Sequence, residues 1–165
     1  MKVYHTLKPI YNKNSKILIL GSMPSVISRN KNFYYANRNN RFWNIMENLF
    51  LTKFNSNLEK RKFLLDNKIA LWDVINSCDI ENSSDSSISN VIPNDIGRIL
   101  EKTRIKTIYV TGKKALELYQ KYIYPKIGIE AIYLPSTSPA NAVLKEEDLI
   151  QKYQVIRSVV EWNWL

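Results

Sequence analysis

Four consecutive apolar residues, Ile17-Leu18-Ile19-Leu20, stop abruptly at Gly21-Ser22-Met23-Pro24-Ser25. A short unbroken apolar run closed by turn residues reads as a strand buried on both faces, the mark of a parallel sheet. Its Gly/Ser/Pro end then lies at the carboxyl edge of that sheet, where open α/β folds put their ligand crevice. The chain next crowds rings and amides into NFYYANRNNRFW, residues 32–43. One stretch therefore locates a site and furnishes it with stacking faces and amide hydrogen bonders.

The rest of the chain alternates in the same way. Ile69 to Val74, Ile105 to Val110 and Ile129 to Leu134 read as three further strands. Arg41 to Phe50 reads as a helix with Phe42, Ile45, Met46 and Leu49 on one face. Ser56-Asn57-Leu58-Glu59 has the form of a capping box and predicts a helix to about Asn67. Pro93-Asn94-Asp95 predicts a capped short helix to about Lys102. Lys113 to Tyr122 predicts another, with Ala115, Leu118, Tyr119 and Tyr122 inward. A last helix starts near Lys145, where Glu146, Glu147 and Asp148 suit the positive end of its dipole. It carries Ile150, Tyr153, Ile156 and Val159/Val160 inward, toward Trp162 and Trp164. Asn76 to Val91, rich in Ser, Asn and Asp, reads as an irregular surface loop. The expectation is a single domain over residues 1–165: a three-layer α/β/α sandwich around a four-stranded, mainly parallel central sheet.

Charge narrows the partners. A surplus of 24 Lys+Arg over 15 Asp+Glu, net +9, suits a polyanion such as nucleic acid. It equally suits a solvated basic surface encoded by an AT-rich genome that favours Lys and Asn. One cysteine, Cys78, excludes an internal disulfide, and with a single histidine no zinc set is expected. No apolar run nears the roughly 20 residues of a membrane span, and nothing resembles a signal peptide. The expectation is a soluble cytoplasmic protein without metal or cofactor.

Three strand ends meet at the carboxyl edge: Gly21 to Ser25, Thr111-Gly112-Lys113-Lys114, and Pro135 to Asn141. Two of the four glycines, Gly21 and Gly112, close strands there, either as ordinary turns or to let a ligand approach the main chain. Gly112-Lys113-Lys114 at a helix start would seat a phosphate. No Walker loop, G-x-G-x-x-G or G-x-S-x-G occurs, which argues against nucleotide hydrolysis, dinucleotide binding and a serine-hydrolase elbow. Phe42 and Trp43 read as core, whereas Tyr34 or Tyr35 could present a face to a planar ligand such as an unstacked base. His5, alone near the amino terminus, reads as structural rather than catalytic.

Taken in order, LILGSMPS, SRNKNFYYANRNNRFW, ALWDVINSCD, SSDSSI…IPNDI, TGKKA and LPSTSPANA resemble the uracil-DNA glycosylase superfamily, in its hypoxanthine-DNA glycosylase branch. The resemblance implies an enzyme that flips a deaminated base from double-stranded DNA and hydrolyses its N-glycosidic bond. It implies no metal or cofactor; a monomer is expected, associated with the nucleoid through DNA. By position it makes Gly21, Ser22, Met23, Pro24 and Ser25 the pocket floor, Tyr35 the stacking ring and Asp73 a reader of the base edge. Asp73 could equally cap the turn after its strand. Gly112 and Lys113 become phosphate contacts, and Ser136, Ser138, Pro139, Ala140 and Asn141 the loop that enters the minor groove.

Four departures from the family pattern matter. Met23 fills the slot where several branches carry the Asn or Asp that handles water. Ser136 fills the slot of an electrophilic histidine, and Asn37-Arg38 replaces a His-Pro pair. The doublet Asn39-Asn40 leaves the catalytic amide open by one residue; Asn40 restores Asn-Arg-Phe-Trp without a gap and is the expected catalytic residue. Uracil or mismatch excision, and a non-catalytic nucleic-acid-binding module, are the rival readings.

Overall fold

The computed structural model describes residues 1–81 and 85–162. From the amino terminus come β1 (Lys2–Tyr4), β2 (Ile17–Gly21), α1 (Val26–Lys31), α2 (Phe42–Phe50) and α3 (Asn57–Asp66). Then follow β3 (Ile69–Asp73), β4 (Ile75–Asp79), β5 (Ser89–Pro93), α4 (Ile96–Glu101) and β6 (Thr107–Thr111). The chain continues through α5 (Lys113–Leu118), α6 (Tyr124–Ile127), β7 (Ala131–Leu134) and α7 (Glu146–Trp162).

The central sheet has the order β3-β2-β6-β7, and each of its three pairings is parallel. β2 sits inside it, with all five residues buried. Because side chains alternate across a strand, Ile17 and Ile19 point into one core while Leu18 and Leu20 point into the other. The first core joins them to Phe42, Ile45, Met46 and Leu49 of α2, Leu64 of α3, and Leu149, Tyr153 and Ile156 of α7. The second joins them to Ile96 and Ile99 of α4 and Ala115 and Leu118 of α5. Each buried aliphatic side chain contributes about 1.5–3 kcal/mol, so both faces of this one strand anchor the sandwich. The helix faces expected for α2 and α7 are present, with Leu149 leading the α7 stripe ahead of the half-buried Ile150. Trp164 lies outside the described residues, as does the Trp162 side chain.

Ser56 caps α3 as expected, its Oγ accepting from the Glu59 N–H at 3.1 Å, while Glu59 Oε1 reaches one residue beyond the box and accepts from the Asn55 N–H at 3.3 Å. Asp95 caps α4 by accepting from the Arg98 N–H at 3.2 Å.

Three features differ from the sequence reading. Residues 76–91 are not an irregular loop, because β4 and β5 pair antiparallel there and β1 adds to β4. Ser and Asn dilute the apolar alternation in both strands, and register shifts break it further, so strand pairing with neighbours outweighs local propensity. Asn82, Ser83 and Ser84 of that stretch lie outside the described residues. Second, α1 follows the Gly21–Ser25 turn directly, capped by Ser25, whose Oγ accepts from the Ser28 N–H at 3.1 Å. Third, the helix expected over 113–122 widens into a π turn at Tyr119–Ile123. That turn rotates Tyr122 partly out of the core, where it is half-buried. Among the described residues, no helix is long and apolar enough to cross a membrane.

Candidate active site

A cleft of about 720 Å³ opens at the carboxyl edge of the parallel sheet, between the ends of β2, β3, β6 and β7. The turn Gly21–Ser25, Tyr35, Asn40, Asp73, Gly112, Lys113, Ser136 and residues 138–141 all border it. The topology therefore gathers every residue selected from the sequence into one cavity. Asn39 does not line it and is exposed, so the geometry favours Asn40 of the doublet.

The floor is made where β2 and β3 end side by side, with Gly21 opposite Asp73 in register. A Cβ on Gly21 would stand 2.5 Å from Asp73 Oδ1, closer than any real carbon contact, so only glycine lets this carboxylate lie against the main chain. Asp73 is 4% exposed. Its Oδ2 lies 2.8 Å from His5 Nε2, and because an ionised carboxylate can only accept, the ring nitrogen is the donor; the His5 ring is packed against Tyr34 and Trp72. Burial raises the Asp73 carboxyl above its ordinary value, while the hydrogen bond and charge of His5 pull it back down. The main-chain oxygen of Asp73 accepts from Asn94 Nδ2 at 2.9 Å, which fixes the strand end from below.

Tyr35 forms the wall above this floor. Its backbone is left-handed at φ 52°, a conformation costly for a ringed residue and typical of functional sites. One ring face stacks on Phe42, with centroids 4.1 Å apart and planes 15° from parallel, and the half-buried remainder borders the cleft. Burial, and then the nearby Asp73 charge, hold its hydroxyl above the ordinary tyrosine value and keep it neutral; a hydrogen bond with Thr111 acts the other way. Tyr34 is nearly buried, with its hydroxyl donating to the Lys8 carbonyl at 2.8 Å, so it is chiefly core although it touches the lining of the cleft.

Asn40 stands opposite. Its Oδ1 accepts from the Phe42 N–H at 2.9 Å and from the Thr137 hydroxyl at 2.8 Å. Those two donors identify the oxygen and turn the amide nitrogen away from them. Nδ2 has no acceptor among the described residues, so Asn40 offers the cleft a donor rather than an acceptor.

Arg41, the next residue, carries the facing loop. Its guanidinium donates to the carbonyls of Thr137, Ser138, Asn141 and Leu144 at 3.4, 2.9, 2.8 and 2.6 Å. Its backbone N–H donates to Thr137 as well, at 3.1 Å. Within the loop, Ser136 Oγ accepts from the Ser138 N–H and Asn141 Nδ2 donates to the Ser136 carbonyl. Tyr153 donates its hydroxyl to the Pro135 carbonyl where the loop leaves the sheet. A stretch that local propensity leaves irregular is thus held as a built surface, with Pro139 and Ala140 exposed at its crest.

The remaining rim is mixed in character. Gly112, at φ 94°, lets the chain turn against Ser136, and a Cβ there would lie 3.3 Å from Ser136 Cβ. Lys113 is exposed beside it, whereas Lys114 pairs with Glu117 at 3.5 Å. Met23 packs partly into the second core and also lines the cleft, where its side chain has no proton to exchange. The Ser25 hydroxyl caps α1 and donates to Ser28, so Ser25 lines the cleft with its hydroxyl already engaged. Arg41 and Thr137 were not singled out in the sequence, and His5 was read there only as structural. Arg41 had its adjacency to Asn40 as a signal, but the partners of Thr137 and His5 lie 97 and 68 residues away.

A cleft of that volume, roomy enough for a base and its sugar-phosphate, walled by a ring, floored by a carboxylate and rimmed by Lys113 and an exposed loop, suits a nucleic-acid-processing site. The chain belongs to the uracil DNA glycosylase superfamily, whose family description matches residues 8–160. It is similar to the hypoxanthine DNA glycosylase of Methanosarcina acetivorans, 37% identical over 138 residues, covering 80% of this chain and 84% of that protein. The hypoxanthine DNA glycosylase of Methanosarcina barkeri is 33% identical over 139 residues, covering 81% of this chain and 85% of that protein. A solution NMR structure from M. acetivorans, described as a candidate uracil DNA glycosylase, superposes with a TM-score of 0.78 at 31% identity. That match covers 95% of this chain and 99% of the other. The protein is a DNA N-glycosylase by family, and DNA is the partner its cleft must admit.

Proposed function

We propose that this protein removes hypoxanthine from double-stranded DNA and leaves an abasic site. The 37% and 33% identical relatives named for that base support the reading. The observation that carries the mechanism is the Asn40 amide, its oxygen tied to Phe42 and Thr137 and its nitrogen left to the cleft.

The flipped base enters between Tyr35 and the Gly21–Ser25 turn, with Asp73 at its polar edge. The N-glycosidic bond breaks with its electron pair passing to the base nitrogen, and the sugar becomes an oxocarbenium ion. Water then adds to C1′, and the proton it loses passes, directly or through solvent, to the base anion that left. Met23 cannot take that proton, which fits a course in which bond breaking leads and the water needs little activation. Catalysis is chiefly electrostatic and positional. Asn40 Nδ2 donates to the lone pair of the water or of the departing base and holds it in place. Lys113 and the loop 135–144 grip phosphates and keep the duplex open, aided by the net charge of +9. The protein acts as a monomeric single domain in the cytoplasm, drawn to the nucleoid by DNA.

The test is a panel of duplexes, each carrying one hypoxanthine, uracil, xanthine or mismatched thymine, treated with alkali after incubation. Strand cleavage at hypoxanthine above all others is the expected result. Preference for uracil or thymine would replace the substrate, and salt-sensitive binding with no cleavage at any base would remove the catalytic reading.

A further inference from the structure

The His5–Asp73 pair lies beneath the cleft, and the mechanism above makes no use of its histidine. Oδ2 of Asp73 is occupied by His5 Nε2 at 2.8 Å, and both side chains are almost wholly buried, at 2% and 5% exposure. Oδ1 lies against Gly21 on the cleft side, with no hydrogen-bond partner among the described residues. A carboxylate with one oxygen tied and the other facing a cavity is a fixed acceptor.

We propose that His5 is a specificity-positioning residue: by donating to Asp73 Oδ2 it holds Oδ1 as an acceptor for a ring N–H, so the site admits hypoxanthine and rejects adenine, its amino parent. The inference rests on the proposed excision of hypoxanthine. Deamination of adenine converts a ring nitrogen bearing only a lone pair, beside an amino group, into a ring N–H beside a carbonyl. Hypoxanthine therefore offers Oδ1 a hydrogen at N1, whereas adenine offers a second lone pair. Buried acceptor against acceptor is the mismatch that hydrogen-bonding sites reject most strongly.

Burial alone would drive Asp73 toward the neutral acid, whose O–H could serve adenine N1 as a partner; the His5 contact opposes this. His5 is itself held in one orientation by Tyr34, Trp72 and its own backbone N–H, which donates to the Asn76 carbonyl at 2.7 Å. The pair is thus preorganised before any base arrives.

The test compares binding to three duplexes. Two carry 2′-fluoro nucleotides that resist excision, one with hypoxanthine and one with adenine, and the third carries a tetrahydrofuran abasic analogue. The wild-type protein should prefer hypoxanthine over adenine by about tenfold or more. His5→Met should bring that ratio to within about threefold of unity while binding the abasic analogue as before; His5→Gln, which restores a donor near the Nε2 position, should recover the preference. An unchanged ratio in His5→Met, or equal weakening on all three duplexes, overturns the proposal and leaves His5 a structural residue. If circular dichroism shows His5→Met unfolded, His5→Gln decides alone, and a folded His5→Gln protein without the preference overturns it. Failure of the wild-type protein to excise hypoxanthine is a separate result, which removes the function and this inference with it.

Discussion

The Asn40 amide oxygen accepts from the Thr137 hydroxyl at 2.8 Å, joining segments 97 residues apart across the mouth of the cleft. This bond decides which end of the amide faces the ligand. Thr137 is 2% exposed, so no bulk water competes for the contact. Thr137→Val keeps the shape and removes the donor. It should lower stability by about 1 kcal/mol and slow excision by about tenfold to 10², the scale of a small misplacement of a reacting group. Single-turnover excision beside thermal denaturation measures both. A variant with a lowered melting temperature and an unaltered rate would show that Thr137 does not position Asn40.

Arg41 holds the loop 136–144 by donating to four of its carbonyls. A lysine keeps the charge but cannot reproduce that planar fork. Arg41→Lys should therefore lose excision by about 10², weaken duplex binding, and expose the loop to limited proteolysis, while α2 and the sheet remain folded. Full activity in Arg41→Lys would mean that charge alone suffices.

Gly21→Ala tests the floor. The new Cβ would meet Asp73 Oδ1 at 2.5 Å, and both residues are buried, so a strand end or the carboxylate must shift. Overpacking of this kind costs about 1–3 kcal/mol. Both the melting temperature and hypoxanthine excision should fall. Wild-type values for both would contradict the close packing of the two strand ends.

The Asp73 carboxyl sits above its ordinary 3.8 because it is buried. The native chain then keeps this proton to higher pH than the unfolded chain. Its contribution to stability is fully present below the unfolded value and is lost as pH rises through the folded one. Asp73→Asn, which carries no charge, should match or exceed the wild-type melting temperature near about pH 7, and the difference should close near about pH 3. Activity should behave oppositely, because with Oδ2 taken by His5 a proton gained falls on Oδ1 and turns the acceptor into a donor. The wild-type rate should fall with acid through a midpoint above 3.8, and Asp73→Asn should lack that limb. His5, Tyr34 and Tyr35 are the titratable groups that face Asp73, and both tyrosines stay neutral because burial raises them. An acid limb at or below 3.8 would place the carboxyl in an ordinary environment.

The central sheet was legible because its strands are written as nearly continuous apolar runs that only a two-faced burial explains. The cleft was legible for the same reason, since parallel strands must end together and Gly21, Gly112 and Pro135 mark their ends. The β1-β4-β5 sheet was not legible. Its residues Asn76, Ser77, Ser89 and Asn90 carry no strand propensity, and its pairing comes from neighbours distant in the chain. The Arg41, Thr137 and His5 contacts were hidden likewise, each joining segments 68 to 103 residues apart. The left-handed Tyr35 was hidden too, because tertiary packing on Phe42 imposes a conformation its side chain disfavours.

The role proposed for Asn40 is that of catalytic donor in a hypoxanthine-excising cleft. Single-turnover excision from a duplex with one hypoxanthine, measured for wild type and Asn40→Ala alongside duplex affinity, tests it most directly. Wild type should release the base, and Asn40→Ala should bind the duplex as well yet excise about 10² to 10³ more slowly, the loss typical of one positioned polar group. Excision by Asn40→Ala at the wild-type rate would contradict it.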